Sequence, residues 1–297
     1  MKNFSEERVG EFSALSSGIL NSLFPVIAIL SFISVGPITS LAWTTLFSLI
    51  FFIIVAALRH TWVNIFDKEI FLPMIGATVI VGIVFYALFY FGLKYTSAGN
   101  ASIIATLEIF FSFLFFNVWR KEFIDRKHLA GAGLMLFCAI IILSPNFTSF
   151  HVGDFLILLA VFIVPFGNLF QKQLRSKISS DQILLFRTLV ATPVLFLLAY
   201  FSGESLLLPM NGTLLVILVN GLILFGLSKI LWVEGIYRIG VTKSISLASV
   251  SPVFTLIFAF LLLKNVPTLA QIIAVPVAML GIYFLTRHSE QGKTQEI

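Results

Sequence analysis

The stretch GLKYTSAGNASIIATLEIFFSFLFFNVWRKEFIDRKHLAGAGLMLFCAIIIL, residues 92–143, lies without a gap on GIYRIGVTKSISLASVSPVFTLIFAFLLLKNVPTLAQIIAVPVAMLGIYFLT, residues 235–286, at a constant offset of 143. Gly92-Leu93 faces Gly235-Ile236, Ala105 faces Ala248, Phe111 faces Phe254 and Lys121 faces Lys264. Identities are sparse, but the apolar runs begin and end together, as duplicated structural units do. Upstream the match loosens; Pro25 and Pro165, 140 positions apart, are expected to interrupt the first helix of each half. The chain therefore divides into residues 1–150 and 151–297, two copies of one unit.

The solvent of that unit follows from composition. Of 297 residues, 59% are apolar and only 11% charged, with a mean hydropathy of +1.04. A water-soluble fold of this size would expose large hydrocarbon patches and aggregate, so the apolar runs are expected to face lipid. Runs near the length of a membrane span, about 20 residues, fall at 16–35, 37–58, 71–92, 100–119, 129–144, 154–172, 182–202, 212–233, 244–263 and 269–286. Glu6, Glu7 and Glu11 and the length of the first run argue for a span rather than a cleaved leader. The net charge of +5 sits between the runs, which does not indicate nucleic-acid binding. The single Cys138 excludes an intrachain disulfide and a Cys-based zinc site, and no cofactor is expected.

Charge sets the orientation. With the N-terminus inside, Lys2, Arg8, Arg59, Lys68, Arg120, Lys121, Arg126, Lys127, Lys172, Arg175, Lys177, Arg238, Lys243, Arg287 and Lys293 fall on one side, against Lys94 and Lys264 on the other. This bias places both termini in the cytoplasm of a multi-pass protein of the plasma or inner membrane. Five spans per copy is an odd number, so the second copy inserts upside down. The expected fold is an all-α integral membrane protein of ten transmembrane helices, built as two inverted five-helix repeats. In that architecture the substrate site of secondary transporters lies near midplane between the copies.

Polar residues inside spans are the candidate site. Glu108 lies nine residues from Gly99 and eleven from Trp119, roughly 14–16 Å from either surface. A carboxylate there is costly unless paired, protonated or facing a wet cavity. Ala101, Ala105 and Ser112 share its helical stripe, and the offset of 143 turns the stripe into Ser244, Ala248, Ser251 and Thr255. The stripes line either a cavity or a close helix contact, and Phe113 and Leu114 are placed on other faces. Lys229 and Arg187 either snorkel to the interface or supply positive charge to the cavity. Asn21 beside Pro25, and Asn168 beside Pro165, offer amides and freed carbonyls where proline removes a donor. Tyr86, Tyr90 and Trp43 are candidate aromatic walls, against the plainer reading of packing. Ala274, Ala278 and Gly281 form a small-residue stripe for packing within the chain or for a homodimer contact.

The motifs then resemble a known family. Phe91-Gly92-Leu93-Lys94-Tyr95-Thr96-Ser97-Ala98-Gly99-Asn100-Ala101 resembles the Ala-Leu-Lys-Tyr-Thr-Ser-Ala signature of EamA-type transporters, of the drug/metabolite transporter superfamily. Leu107-Glu108-Ile109-Phe110 is similar to that family's Leu-Glu-Pro-Val-Phe, with Ser251-Pro252-Val253-Phe254 as its second-copy match. Glu122, Leu231-Trp232 and Gly235-Ile236-Tyr237-Arg238-Ile239-Gly240 extend the likeness. Ile109 replaces the family's Pro, Asn265 stands where Glu often occurs, and Arg187 is a candidate for an Arg missing from the second span. The resemblance implies a ten-helix basket around a central cavity, with spans 5 and 10 peripheral. It also implies a transporter, not an enzyme, that exports small metabolites such as amino acids by alternating access, with protons as a candidate coupling partner. Membrane lipid and a small-molecule substrate are then the partners. The alternatives are a membrane-embedded enzyme or lipid-handling protein, which would need a reactive constellation that the sequence does not display, and a non-transporting sensor or scaffold.

Overall fold

Each apolar run becomes a helix because backbone polar groups in lipid must find partners within their own segment. The structure, a computed structural model, describes residues 4–61, 68–115, 126–143 and 152–286. Helix α1 is Phe4–Ser22 continued by Phe24–Ser31, and α2 is Pro37–Arg59. Helix α3 joins Lys68–Ala77 and Phe85–Leu93 through a π-helical turn, Thr78–Val84. Helix α4 is Ala98–Ala105 and Glu108–Phe113, α5 Arg126–Leu143, α6 Val152–Arg175 and α7 Ser180–Phe201. Helix α8 runs Gly212–Val219, a π-helical Asn220–Leu227, then Ser228–Ile239. Helix α9 is Val241–Ala248 and Ser251–Leu263, and α10 is Leu269–Thr286.

Among the described residues nine of these ten are long and apolar enough to cross a membrane; α4 is apolar and shorter over the part described. Helices α1 and α8 extend beyond the hydropathy boundaries, α1 beginning at Phe4 and α8 reaching Ile239. Hydropathy marks only the lipid-embedded length, whereas backbone hydrogen bonding carries the helix on through charged, solvated turns. Lys2, Trp119, Arg120, Lys121, Glu122, Arg287 and Lys293 lie outside the described residues.

Helix pairing repeats between halves. Helix α1 packs on α8 as its counterpart α6 packs on α3, while α2 packs on α7 and α5 on α10. Exchanging the halves maps this set of pairs onto itself, as an inverted repeat requires. The α5–α10 contact uses the small residues of both helices. A Cβ on Gly131 would come within 2.9 Å of Gly281 O, and one on Gly281 within 2.8 Å of Met135 Sδ. Ala274 and Ala278 are buried in the same seam. The small-residue stripe of α10 is thus consumed inside the chain, which corrects its alternative use as a dimer contact. Helix α5 is peripheral, with Leu129, Leu136, Phe137 and Ile140 exposed to the lipid side.

The interruptions of α4 and α9 are symmetry mates. Thr106 Oγ1 donates to Ile103 O at 2.7 Å, and at the offset of 143 Ser249 Oγ donates to Ser246 O at 2.6 Å. Such back-bonding competes with the helical ladder and bends it. Backbone bonds tighten accordingly, Leu107 N to Ile104 O and Ser249 N to Ser246 O. Pro252 reinforces the bend in α9, yet α4 makes the same bend with Ile109 in that place. The expected proline breaks differ. Helix α1 is interrupted at Leu23, just before Pro25, whereas α6 continues unbroken through Pro165.

Candidate functional site

Between α1, α3, α4 and their counterparts α6, α8, α9 lies a cavity of about 170 Å³, with Arg187 of α7 and Ile282 of α10 completing its wall. Its lining is the internal repeat seen from inside. From α4 and α9 come Ser102 and Ile245, Ala105 and Ala248, Thr106 and Ser249, Glu108 and Ser251; from α3 and α8 come Tyr86 and Lys229, Phe89 and Trp232. Every pair is separated by 143. Duplication therefore made the wall, and the places where mates differ in charge, Glu108 against Ser251 and Tyr86 against Lys229, make its chemistry.

Val164, Asn168 and Gln171 are spaced i, i+4, i+7 on one stripe of α6, so both amides face inward. Asn168 Nδ2 donates to Glu108 Oε1 at 2.5 Å, while its Oδ1 accepts from Gln171 Nε2 at 3.1 Å and Trp232 Nε1 at 3.2 Å. Gln171 Oε1 in turn accepts from Arg187 Nη1 at 2.9 Å. One polar chain thus runs from α7 through α6 to α4. A second ties α8 to α1: Lys229 Nζ donates to Asn21 Oδ1 at 2.7 Å, Asn21 Nδ2 to Ser17 Oγ at 3.2 Å, and Ser17 Oγ to Ser228 O at 3.0 Å. Lys229 Nζ also lies 5.6–5.9 Å from the ring centroids of Tyr86, Phe225 and Phe24, within cation–π range.

Of the residues singled out in the sequence, Asn21, Tyr86, Ala105, Glu108, Asn168, Arg187, Lys229 and Ser251 line the cavity together. Arg187 is 3% exposed and Lys229 bonds an amide of α1, so neither side chain snorkels. Four residues sit elsewhere. Ser112 is buried one turn past Glu108, and its Oγ meets no partner among the described residues. Thr255 closes the α9 contact instead, donating to Ser22 O at 2.8 Å and accepting from Ser102 Oγ at 3.0 Å. Tyr90 is fully buried and accepts from Asn220 Nδ2 at 2.8 Å. Trp43 Nε1 donates to Leu206 O at 3.0 Å, and its ring packs edge-on against Phe196. Ser112 and Thr255 each lie one turn beyond Glu108 and Ser251 within the same straight segment, where they meet neighbouring helices instead of the cavity. Of the two residues placed on other faces, Phe113 is buried at 7% against His128, whereas Leu114 is 36% exposed.

Gln171 and Trp232 are the members that sequence reasoning passed over. Gln171 follows Asn168 by three residues, and that spacing was the available signal. A wider recess of about 530 Å³ opens at the far end, around Ser97, Asn100, Lys264 and Gln271. Its rim residues Lys264, Asn265 and Val266 are exposed, and it is a vestibule at the helix ends rather than a midplane site.

Residues 8–144 and 151–287 each match the EamA-like transporter family. A protein of Methanothermobacter thermautotrophicus named as an uncharacterized transporter is 26% identical over 274 residues, spanning 85% of this chain and 78% of that one. A solved crystal structure of a protein superposes with a TM-score of 0.70 over 95% of this chain and 97% of its own, at 18% identity, which speaks to the fold alone.

Proposed function

The chain belongs to the EamA-like transporter family, and from that premise we propose that it carries small metabolites through the cavity between its repeats by alternating access, with Glu108 as the proton-bearing group. The observation that carries this reading is the set of repeat-related positions lining one midplane cavity, with a single carboxylate among them. Two inverted copies supply two pseudo-equivalent arrangements of that wall, one open to each side. The direction assigned is export, as the family resemblance implies, across the plasma or inner membrane with both termini cytoplasmic.

Several contacts support such a cycle. Phe24 lines the cavity and gathers Tyr86, Phe89, Tyr90 and Phe225 at centroid distances of 5.2–6.0 Å, an aromatic stopper on the side away from the N-terminus. The opposite end is held by ion pairs between elements: Arg175 with Glu234 at 2.8 Å, Lys243 with Glu7 at 2.6 Å and Glu11 at 2.5 Å. The exposed Lys243 pairs are individually weak, about 0–1 kcal/mol, so they can open within a transport cycle, whereas the Arg175–Glu234 pair is largely buried.

Glu108 accepts a hydrogen bond from a neutral amide, and no ion pair holds it among the described residues. The charged or titratable groups that share its cavity are Lys229 on α8, Arg187 on α7 and Tyr86 on α3; α1, α6, α9 and α10 contribute neutral groups. Reconstituted vesicles with labelled metabolites, with and without a pH gradient, test the proposal. Glu108→Gln is expected to keep exchange but lose accumulation driven by the gradient, and Ala105→Trp to block both, while Leu114→Trp remains near parental. A Gln variant that concentrates substrate as well as the parent does would remove Glu108 from the coupling step.

A further inference from the structure

The cavity holds two cations and one carboxylate that do not pair with one another. Arg187 is 3% exposed, yet its bonded partner among the described residues is the neutral Gln171 Oε1. A guanidinium carries five donors in a planar fork, and a single amide oxygen leaves most of that fork unused. Lys229 is likewise held by the neutral Asn21 Oδ1 and by three aromatic rings. Glu108 is engaged by Asn168, and no carboxylate within ion-pair reach of Arg187 or Lys229 exists among the described residues. The Arg187 guanidinium is thus buried with no acid bonded to it among the described residues, which is strongly unfavourable and which a ligand of opposite sign relieves. The half-buried Lys229 adds a second positive charge to the same wall.

The fold makes room for this arrangement. Arg187 lies against Gly82 in the π-helical turn of α3, where a Cβ would come within 2.7 Å of Arg187 Cγ. The stem is thereby seated between α7 and α3 while the head remains on the cavity wall. Snorkelling is excluded by the burial, and no acid among the described residues pairs with the guanidinium.

We infer that the site takes a small organic anion, its carboxylate received by Arg187 and Lys229 and its apolar body lying against Phe24, Phe85 and Trp232. The inference rests on this cavity being the transport site. A planar fork matches a carboxylate in two parallel hydrogen bonds, and the amides now on Arg187 and Lys229 are acceptors that a carboxylate can replace. The charge count selects the class. With Glu108 ionised the wall carries one net positive charge, which a monoanion cancels. A zwitterion leaves that charge standing, and an organic cation doubles it. Net charge therefore favours a monoanion over a zwitterion or a cation, which separates this class from the amino acids that the family resemblance implied.

The test uses the full-length protein in detergent near neutral pH and three probes with the same phenyl body: phenylpropanoate, L-phenylalanine and phenethylamine. Phenylpropanoate is expected to raise the thermal midpoint and to bind most tightly, with affinity falling at least about tenfold in Arg187→Gln and in Lys229→Met. Arg187→Lys, which keeps the charge without the fork, should retain part of the affinity. Arg187→Gln should unfold no lower than the parent, because it removes a buried charge that has no acidic partner among the described residues; Lys229→Met, at a half-buried side chain, stands as the second arm if Arg187→Gln does not fold. Tighter binding of phenylalanine or of the amine overturns the inference, as does the absence of binding by all three. An amine that binds while Ala105→Trp still blocks metabolite flux would sink the anion reading and leave the transport reading in place.

Discussion

Glu108 and Lys229 stand at positions whose repeat mates are Ser251 and Tyr86, so the charged chemistry of the cavity arises where the two copies have diverged. Asn168 and Gln171 then distribute it, linking the α4 carboxylate to the α7 guanidinium through neutral amides instead of direct ion pairing. The residue that fixes Arg187 has no polar group at all. Gly82→Ala would set a methyl within 2.7 Å of Arg187 Cγ and 3.3 Å of Cδ, and atoms so near the root of the side chain cannot swing clear. Overpacking of this kind costs about 1–3 kcal/mol. The expected outcome is a lower thermal midpoint and a raised KM for transport, with expression retained. An unchanged KM would mean that the guanidinium does not depend on its seat in the π-helical turn.

At the scale of elements, the paired bends in α4 and α9 deserve a cause common to both, and proline is not it, because Ile109 replaces Pro252 in α4. The shared feature is a hydroxyl bonded to the carbonyl three residues back, from Thr106 and from Ser249. These bends place Ala105 with Glu108, and Ala248 with Ser251, on one wall. Thr106→Val together with Ser249→Ala should relax the bend in α4 and, with Pro252 still in place, loosen the one in α9. Each deleted hydroxyl removes a local bond worth about 0.5–1.5 kcal/mol, so stability should change modestly while the transport rate falls several-fold. Initial rates in vesicles, read beside thermal unfolding, check this; a parental rate in the double variant would assign the bends to packing alone.

For the whole molecule, orientation is the testable quantity. The inter-helix ion pairs Arg175–Glu234, Lys243–Glu7 and Arg59–Asp181 gather at the end to which the charge bias assigns the cytoplasm. In a Cys138→Ser background, cysteines at Arg126 and Ser176 should react with an impermeant reagent only from the cytoplasmic side. One at Leu207, 81% exposed in the α7–α8 connection, should react only from outside. Labelling of the Ser176 site in intact cells would reverse the assignment. Cys138 is buried with its thiol donating to Ala274 O at 3.5 Å, and a serine there keeps a donor of similar size, so Cys138→Ser should leave the fold in place.

Ten spans, the duplication and the inward placement of Glu108 were legible in residue order. Lipid demands a minimum apolar length for each crossing and internal backbone bonding within it, and both leave marks along the chain. The family followed from short motifs carried on those spans. Tertiary structure alone decided that Arg187 and Lys229 stay inside, that the α10 stripe seats α5, and that Ser112, Thr255, Tyr90 and Trp43 serve packing contacts beside the cavity. The reason is physical: these helices are apolar on nearly every face. With lipid as apolar as a neighbouring helix, periodicity cannot tell the side turned to hydrocarbon from the side turned to protein. Only the packing of ten such helices determines which polar atoms meet.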